Sequence, residues 1–343
     1  MEKPKISAIV LNWNGMEVIA ECLDSLLAQT YAEREILVVD NGSTDGSLAM
    51  IREKYGAHVT VIENGKNLGF AEGCNVGIRA SNGELILLVN SDATLQPNWM
   101  DQAVKAFSEP RVGMAAGKIF FYDARNVIEN TGHIISADAL GRGRGRLEKD
   151  EGQYDRDLYV FCPNGCAAVY RRSMMEEIGL FDRWMFAYAD DIDVGFRGRL
   201  AGYECAYVPS AIAYHRLSAS FGLLSPFKAF LVERNRLWVL IKCFPFRYLL
   251  AAPFYTFMRY AYHFYGICHR IGPASRYVQK ISLLSLLGIA LRVYGSTLWH
   301  LPRLLAERFR IQGRRHLSAR AFGELLKQYG MSAKDVALRE ISY

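Results

Sequence analysis

The sequence contains no CxxC pair. Its seven cysteines, Cys22, Cys74, Cys162, Cys166, Cys205, Cys243 and Cys268, are scattered, and no partner pair at zinc-ligand spacing follows the one close couple, Cys162 and Cys166. The odd count and the apolar surroundings of most of them exclude a disulfide framework and predict buried free thiols in a reducing compartment. No apolar run of secretory length opens the chain either. Met1-Glu2-Lys3-Pro4-Lys5 leads into Ile6–Leu11, too brief for a signal h-region, so the N-terminal part is expected to stay in the cytoplasm. Clean membrane spans are also missing. Phe244–Ile267 is interrupted by Pro245, Arg247, Pro253, Arg259 and His263, and Leu283–Leu301 by Arg292 and His300. A central arginine in a spanning helix costs on the order of 3 kcal/mol. Helices lying in a membrane interface are therefore expected ahead of a transmembrane hairpin, with a soluble helical domain around an aromatic core as the plainer reading.

Acidic residues are scarce in the last third. Residues 1–220 hold 22 Lys and Arg against 30 Asp and Glu, whereas residues 221–343 hold 19 against 5. The 343-residue length suits two units or one large one, and the charge break suggests domains at 1–220 and 221–343. The basic, aromatic-rich second part suggests an anionic membrane surface or nucleic acid, and Arg303–Arg320 suits anionic lipid. Glu233-Arg234-Asn235-Arg236, just before the apolar region, is a candidate contact for a pyrophosphate-linked acceptor.

The first part alternates strands and helices. Ile6–Leu11, Glu35–Asp40, Val59–Glu63 and the run from Leu85 read as strands, and Val18–Gln29, Leu48–Tyr55 and the stretch ending at Arg79 as helices. That alternation predicts parallel pairing and an α/β class. No G-x-G-x-x-G follows the first strand, which excludes a dehydrogenase-type dinucleotide turn. Carboxylates and amides stand at the strand ends instead: Asn12, Asp40, and Asn90-Ser91-Asp92 after the continuous apolar run Leu85–Val89. Ligands of open α/β sheets sit at such ends, and Asp92 is placed to meet a hard divalent cation. Beyond residue 95, Val112–Phe121 and Phe161–Tyr170 read as strands, and Gly141-Arg142-Gly143-Arg144-Gly145-Arg146 as a mobile basic loop.

Asp190-Asp191-Ile192-Asp193 puts three carboxylates within four residues at the start of a helix. They repel one another unless a cation, an arginine or the helix N-terminus offsets them. Asp193 is expected to pair with Arg197 one turn on.

These stretches carry a resemblance. Ile9-Val10-Leu11-Asn12-Trp13-Asn14-Gly15, Val39-Asp40-Asn41-Gly42-Ser43-Thr44-Asp45-Gly46-Ser47, Asn67-Leu68-Gly69-Phe70-Ala71-Glu72-Gly73-Cys74-Asn75, Leu88-Val89-Asn90-Ser91-Asp92 and Asp190-Asp191-Ile192-Asp193 resemble, in order over about residues 5–216, inverting glycosyltransferases of family 2, in the rhamnosyltransferase-like variant. The resemblance implies a GT-A fold, and the basic, aromatic tail beyond it is expected to form a C-terminal helical membrane-associated region. It implies that Asp40 meets the nucleotide base, with Asn12 and the Asn67 loop in the same pocket. Asp92 would hold Mg²⁺ or Mn²⁺ against the donor diphosphate, with His215 as a second protein ligand. Asp191 would be the general base, and Asn90, Asp190, Gly165 and Trp184 would line the substrate site. Asn90 stands where the family's DxD has its first Asp, and Asp190 where its usual Glu stands. The function implied is inverting transfer of a sugar, rhamnose first, from a dTDP- or UDP-sugar to a lipid-linked cell-surface glycan. The place implied is the cytoplasmic face of a bacterial inner membrane. The same fold could transfer a hexose, galactofuranose or an N-acetylhexosamine, or serve as a silent nucleotide-sugar-binding adaptor. The expected partners are the nucleotide sugar, the lipid-linked acceptor and anionic lipid. Nucleic acid is not among them, and the sequence leaves self-association open.

Overall fold

The computed structural model describes residues 3–217, 225–278 and 282–339. The expected domain boundary at residue 220 lies outside the described residues. Two compact units interleave along the chain, one from residues 3–132, 143–187 and 203–217, the other from 133–142, 188–202 and 225–339.

The first unit opens with β1 (Ile6–Asn12), α1 (Ile19–Leu27), β2 (Arg34–Asp40), α2 (Ser47–Tyr55), β3 (Thr60–Glu63), α3 (Gly69–Ala80) and β4 (Leu85–Asn90). β1 pairs in parallel with β2 and β4, and β2 with β3. Each helix is a crossover that returns the chain to the same end of the sheet, so that the next strand runs parallel to the last. Leu85, Ile86, Leu87, Leu88 and Val89 are all buried, because helices or chain cover both faces of a central parallel strand. After β4 come β5 (Ala93–Leu95), α4 (Trp99–Val104), β6 (Val112–Phe121) and β7 (Ala124–Asn130). β10 (Tyr159–Val160), β11 (Ala167–Arg171), α5 (Arg172–Ile178) and β12 (Glu204–His215) complete the unit.

The sheet is mixed, in the order β10-β12-β6-β11-β4-β1-β2-β3. Parallel pairing therefore holds for β1 to β4, while β11 runs antiparallel to both β4 and β6. The run Phe161–Tyr170 is not one strand. The chain leaves the sheet after Val160 and rejoins it at Ala167, with Asn164 Oδ1 accepting from the Cys166 N–H at 2.9 Å in the turn between. The order β3-β2-β1-β4 reverses beside β1, so the switch point, where open α/β sheets take ligands, lies between the carboxyl ends of β1 and β4.

The basic stretch Gly141–Arg146 is not a mobile loop. Arg144 pairs with Asp157 at 2.6 Å and lies over the Tyr154 and Tyr207 rings, and Arg146 pairs with Glu129 at 2.7 Å. Arg142 donates to the Val336 carbonyl at 3.1 Å, so partners for all three arginines fix the backbone that three glycines leave free.

The second unit holds β8 (His133–Ser136), β9 (Gly141–Gly143, its last residue in the first unit) and β13 (Gly330–Met331), in the order β13-β8-β9. Its helices are α6 (Asp190–Leu200), α7 (Pro226–Cys243), α8 (Phe246–His269), α9 (Gly272–Val278), α10 (Leu283–Trp299), α11 (Leu301–Gly313), α12 (Ala319–Gln328) and α13 (Ala333–Leu338). Charge is buried here in pairs. Asp138 meets Arg236 at 3.3 Å and Arg259 at 2.8 Å, and Glu233 also bridges both arginines. Arg236 and Glu233 thus serve the interior, not an acceptor as the sequence suggested. Phe246, Leu250, Phe254, Phe257 and Phe264 of α8 are exposed, as are Leu284, Leu287, Leu291, Tyr294 and Leu298 of α10. Spacings of three and four put each set on one helix face. Among the described residues no helix is long and apolar enough to cross a membrane.

Candidate active site

At the carboxyl ends of β1, β2 and β3 the loops are tied by side-chain amides and carboxylates. Asn12 is fully buried, and its Nδ2 donates to Asp40 Oδ1 at 2.9 Å, Ser47 Oγ at 2.9 Å and Ser43 Oγ at 3.1 Å. Asp40 Oδ2 accepts from the Gly42 and Ser43 N–H groups at 3.0 Å each. Gly42, at φ +76°, leaves no room for a Cβ against the Lys66 backbone. Asn41 Nδ2 donates to the Gly69 carbonyl at 3.1 Å and to Asn67 Oδ1 at 3.3 Å, while Asn64 Nδ2 donates to Asn41 Oδ1 at 2.8 Å. Asn12, Asp40 and Asn67 therefore belong to one connected polar floor. Asn41 is its hub, and only its place in Asp40-Asn41-Gly42 pointed to it.

A second cluster sits at the end of β4. β5 pairs antiparallel with β12, with Ala93 opposite His215. This register brings His215 beside Asp92, the residue before the strand. Asp92 Oδ1 lies 3.1 Å from His215 Nε2, and both side chains are buried. Asn90 Nδ2 is 3.4 Å from the same ring nitrogen, adding a dipole but no charge. Gly165 lies in the turn next to this cluster, where the neighbouring Cys166 carbonyl accepts from the Asn90 N–H at 2.9 Å. His215 Nδ1 faces Glu129 Oε2 at 3.4 Å, and Glu129 Oε1 in turn pairs with Arg146. Sequence reading missed Glu129, which falls in no motif. A carboxylate on the far nitrogen of a ligating imidazole fixes its tautomer and ring orientation. Burial works against a charged His215, but Cys166 and the Asp92 and Glu129 carboxylates outweigh it and hold its pKa well above the usual value.

A carboxylate and an imidazole suit Mn²⁺, and less commonly Mg²⁺. Neighbouring ligand atoms of an octahedral ion at about 2.1 Å stand about 3.0 Å apart, close to the 3.1 Å between Asp92 and His215. The pair fits such an ion as two of its ligands. Among the described residues no group of three or more His, Cys, Asp or Glu side chains is arranged to hold a metal.

In the second unit, Tyr188 and Ala189 adopt left-handed φ values of 67° and 59° just before α6. Such backbone costs about 1–2 kcal/mol per residue. Asn235, fully buried, donates to the Tyr188 carbonyl at 2.8 Å and holds the segment in place. The three carboxylates at the helix start are each compensated differently. Asp193 is fully buried between Arg197 at 2.8 Å and Lys242 at 2.7 Å, as expected for Arg197. Asp190 is buried, and burial together with the charge of Asp191 pushes its pKa up to about 8, favouring its neutral form. Asp191 Oδ1 accepts from the Ile192 N–H at 2.8 Å, and its Oδ2 lies 2.8 Å from His133 Nε2. Trp184 is 48% exposed in the turn Arg183–Met185, with the Arg183 guanidinium 5.3 Å from its ring.

The mixed sheet with its polar strand ends defines a GT-A fold. It superposes on the mannosyltransferase PcManGT from Pyrobaculum calidifontis, solved with GDP-Man and Mn²⁺, with a TM-score of 0.54 over 92% of this chain and 86% of that one, at 19% identity. The chain belongs to glycosyl transferase family 2, whose family model matches residues 7–179, about half of its length. It is 30% identical over 217 residues to the glycosyltransferase AglE of Haloferax volcanii, covering 62% of this chain and 67% of AglE. It is 24% identical over 226 residues to the O-antigen biosynthesis protein RfbC of Myxococcus xanthus, covering 63% of this chain but 18% of that protein. It likewise spans 25% of y4gI, an uncharacterized protein of Sinorhizobium fredii, over 64% of its own length at 27% identity.

Proposed function

We propose that this protein is an inverting, metal-assisted glycosyltransferase that moves a sugar, rhamnose first, from a dTDP- or UDP-sugar to a lipid-linked cell-surface polysaccharide acceptor. The observation that carries the reading is the convergence of Asp92 and His215 at the end of β4, produced by the β5–β12 register. There they would hold Mg²⁺ or Mn²⁺, which when bound offsets the charge growing on the departing diphosphate. PcManGT, solved with Mn²⁺ and a nucleotide sugar, is consistent with this chemistry. The amide-lined floor around Asn12, Asp40 and Asn67 binds and orients the nucleotide, and Asn90, Gly165, Trp184 and Asp190 line the substrate site. Asp191 removes the acceptor proton. Burial and the neighbouring Asp191 charge favour the neutral form of Asp190, which supports Asp191 as the base of the pair. A single displacement at the anomeric carbon needs no enzyme nucleophile and inverts configuration.

The exposed apolar faces of α8 and α10, with Arg247, Arg292, Arg310 and Arg314 also exposed, support seating on anionic lipid at the cytoplasmic face of the inner membrane. An enzyme held there meets a lipid-linked acceptor by searching a surface.

The test is donor turnover by the purified full chain with dTDP-, UDP- and GDP-sugars, Mn²⁺, Mg²⁺ or EDTA, and a membrane lipid extract as acceptor source. Metal-dependent turnover of one donor, lost in Asp191→Asn, names the sugar class. Nucleotide binding without turnover of any donor in the presence of extract would leave a silent adaptor.

A further inference from the structure

His215 is the last residue of β12, paired with Ala93 of β5 and Phe121 of β6, and Asp92 stands just before β5. The pair thus sits where the ladder stops, and strand ends are where a sheet opens most readily. Two backbone bonds continue past it. The Tyr122 N–H donates to the His215 carbonyl at 2.9 Å, and the Arg216 N–H to the Asp92 carbonyl at 3.0 Å. The side chains of these same two residues meet on one carboxylate. Glu21, in the first turn of α1, accepts from the Arg216 guanidinium on Oε1 and from the Tyr122 hydroxyl on Oε2, each at 2.6 Å. Arg216 also lies over the Tyr122 ring, 3.8 Å from its centre, and Arg125 extends the stack between the Tyr122 and Tyr214 rings. Hydrogen bonds from Arg216 and Tyr122 hold the Glu21 pKa below the usual carboxylate value, so Glu21 is charged at neutral pH.

We propose that Glu21 is a positioning residue for the Asp92–His215 pair: by gripping Arg216 and Tyr122 together, it holds the ends of β12 and β6 at the spacing the two side chains need to share one ion. This rests on the reading of that pair as metal ligands. Glu21 acts through its two donors, Tyr122 on the His215 carbonyl and Arg216 on the Asp92 carbonyl. Its own base is firm, because α1 buries Ile19, Cys22, Leu23 and Leu26. One side chain therefore ties two strand ends to a packed helix. Without the carboxylate, Arg216 keeps its ring stack and both backbone bonds stay, but the two strand ends lose their common anchor. Asp92 and His215 then spend less time at the spacing that suits an ion. The amide floor around Asn12, Asp40 and Asn67 is built from other residues and is untouched. Glu21 is 46% exposed and Arg216 33%, so solvent screens the ion pair and its loss is felt as a several-fold effect.

The experiment titrates Mn²⁺ into the nucleotide-free full chain, with electron paramagnetic resonance reading the free ion. Wild type is compared with Glu21→Leu, with Glu21→Arg combined with Arg216→Glu, and with His215→Ala. Melting temperatures establish that each variant is folded, and calorimetric titration of UDP and dTDP without metal reports on the nucleotide floor. E21L is expected to weaken the Mn²⁺ Kd by about 5- to 10-fold, the equivalent of one screened ion pair and one hydrogen bond, with nucleotide Kd changed by no more than about twofold. The combined variant restores the ion pair with its charges exchanged, and its Mn²⁺ Kd is expected within about twofold of wild type. Unchanged Mn²⁺ affinity in E21L beside a weakened H215A overturns the proposal. So does an exchanged pair no better than E21L, or a nucleotide Kd that weakens in step with that of Mn²⁺. Mn²⁺ held no better by wild type than by H215A would instead overturn the metal-ligand reading, whatever the Glu21 variants do.

Discussion

Glu129→Gln replaces one oxygen by an NH₂ group in a buried cluster, and the structure says how that is felt. Glu129 uses Oε2 toward His215 Nδ1 at 3.4 Å and Oε1 toward Arg146 at 2.7 Å. A glutamine has one acceptor oxygen for these two donors, so its amide nitrogen must face either the imidazole N–H or the guanidinium. His215 then loses the partner that sets its ring, or Arg146 loses its counter-charge. A hydrogen bond to a charged group is worth about 1.5–3 kcal/mol. The 3.4 Å separation puts this one at the low end, or about tenfold in affinity. Mn²⁺ titrated into the nucleotide-free protein and followed by electron paramagnetic resonance should show about a tenfold weaker Kd in E129Q. Arg146→Ala, which keeps the Glu129 charge, should lose less. His215→Ala should lose more than either. An E129Q Kd equal to wild type, alongside a weakened His215→Ala, would refute the positioning of His215 by Glu129.

Adjacent carboxyls should respond differently to amidation. Asp191→Asn should lower kcat by about 10²- to 10⁴-fold. Asp190→Asn should raise stability above pH 8. Burial and the neighbouring Asp191 lift the folded-state pKa of Asp190 to about 8 from 3.8, so the native protein keeps a proton that the unfolded chain releases, and wild-type stability falls across that interval. Thermal melts of both proteins against pH test this. Glu233 has the opposite sign. Burial alone would raise its pKa, yet Arg236 and Arg259 hold it at about 2, below 4.5. Its contribution, about 3 kcal/mol, is complete above pH 4.5 and lost as pH falls toward 2, and urea titrations of Glu233→Gln should lack it. Finally, Leu287→Glu with Leu291→Glu, both on the exposed face of α10, should weaken binding to phosphatidylserine vesicles by at least about tenfold, since each leucine forfeits roughly 1.5–3 kcal/mol of burial. Unchanged co-sedimentation would count against lipid seating of that face.

The elements that could be read along the chain are those whose burial is local in sequence. Leu85–Val89 is apolar at every position because the strand is covered on both faces, and α1 shows Ile19, Cys22, Leu23 and Leu26 on one side. Asp193 with Arg197 was legible because four residues are one helical turn. Phe161–Tyr170 misled because apolar residues in a covered turn look like a strand. Gly141–Arg146 misled because alternating glycine and arginine look mobile until Glu129 and Asp157 are known to stand beside them.

By itself the sequence determined the order of strands and helices up to β4 and the residue types at their ends. It also determined the acidic cluster opening α6 and the basic, aromatic tail, all properties of neighbours along the chain. The tertiary structure decided which of those residues act together. His215 stands by Asp92 because β5 and β12 pair with Ala93 opposite His215, and a shift of one residue would send the imidazole to the other face of the sheet. Glu129 and His133 likewise meet groups far from them in sequence, one facing His215 and the other Asp191. Charge at a helix start is written locally, but the imidazole beside Asp191 stands on a strand far away in sequence, which only the folded chain brings near.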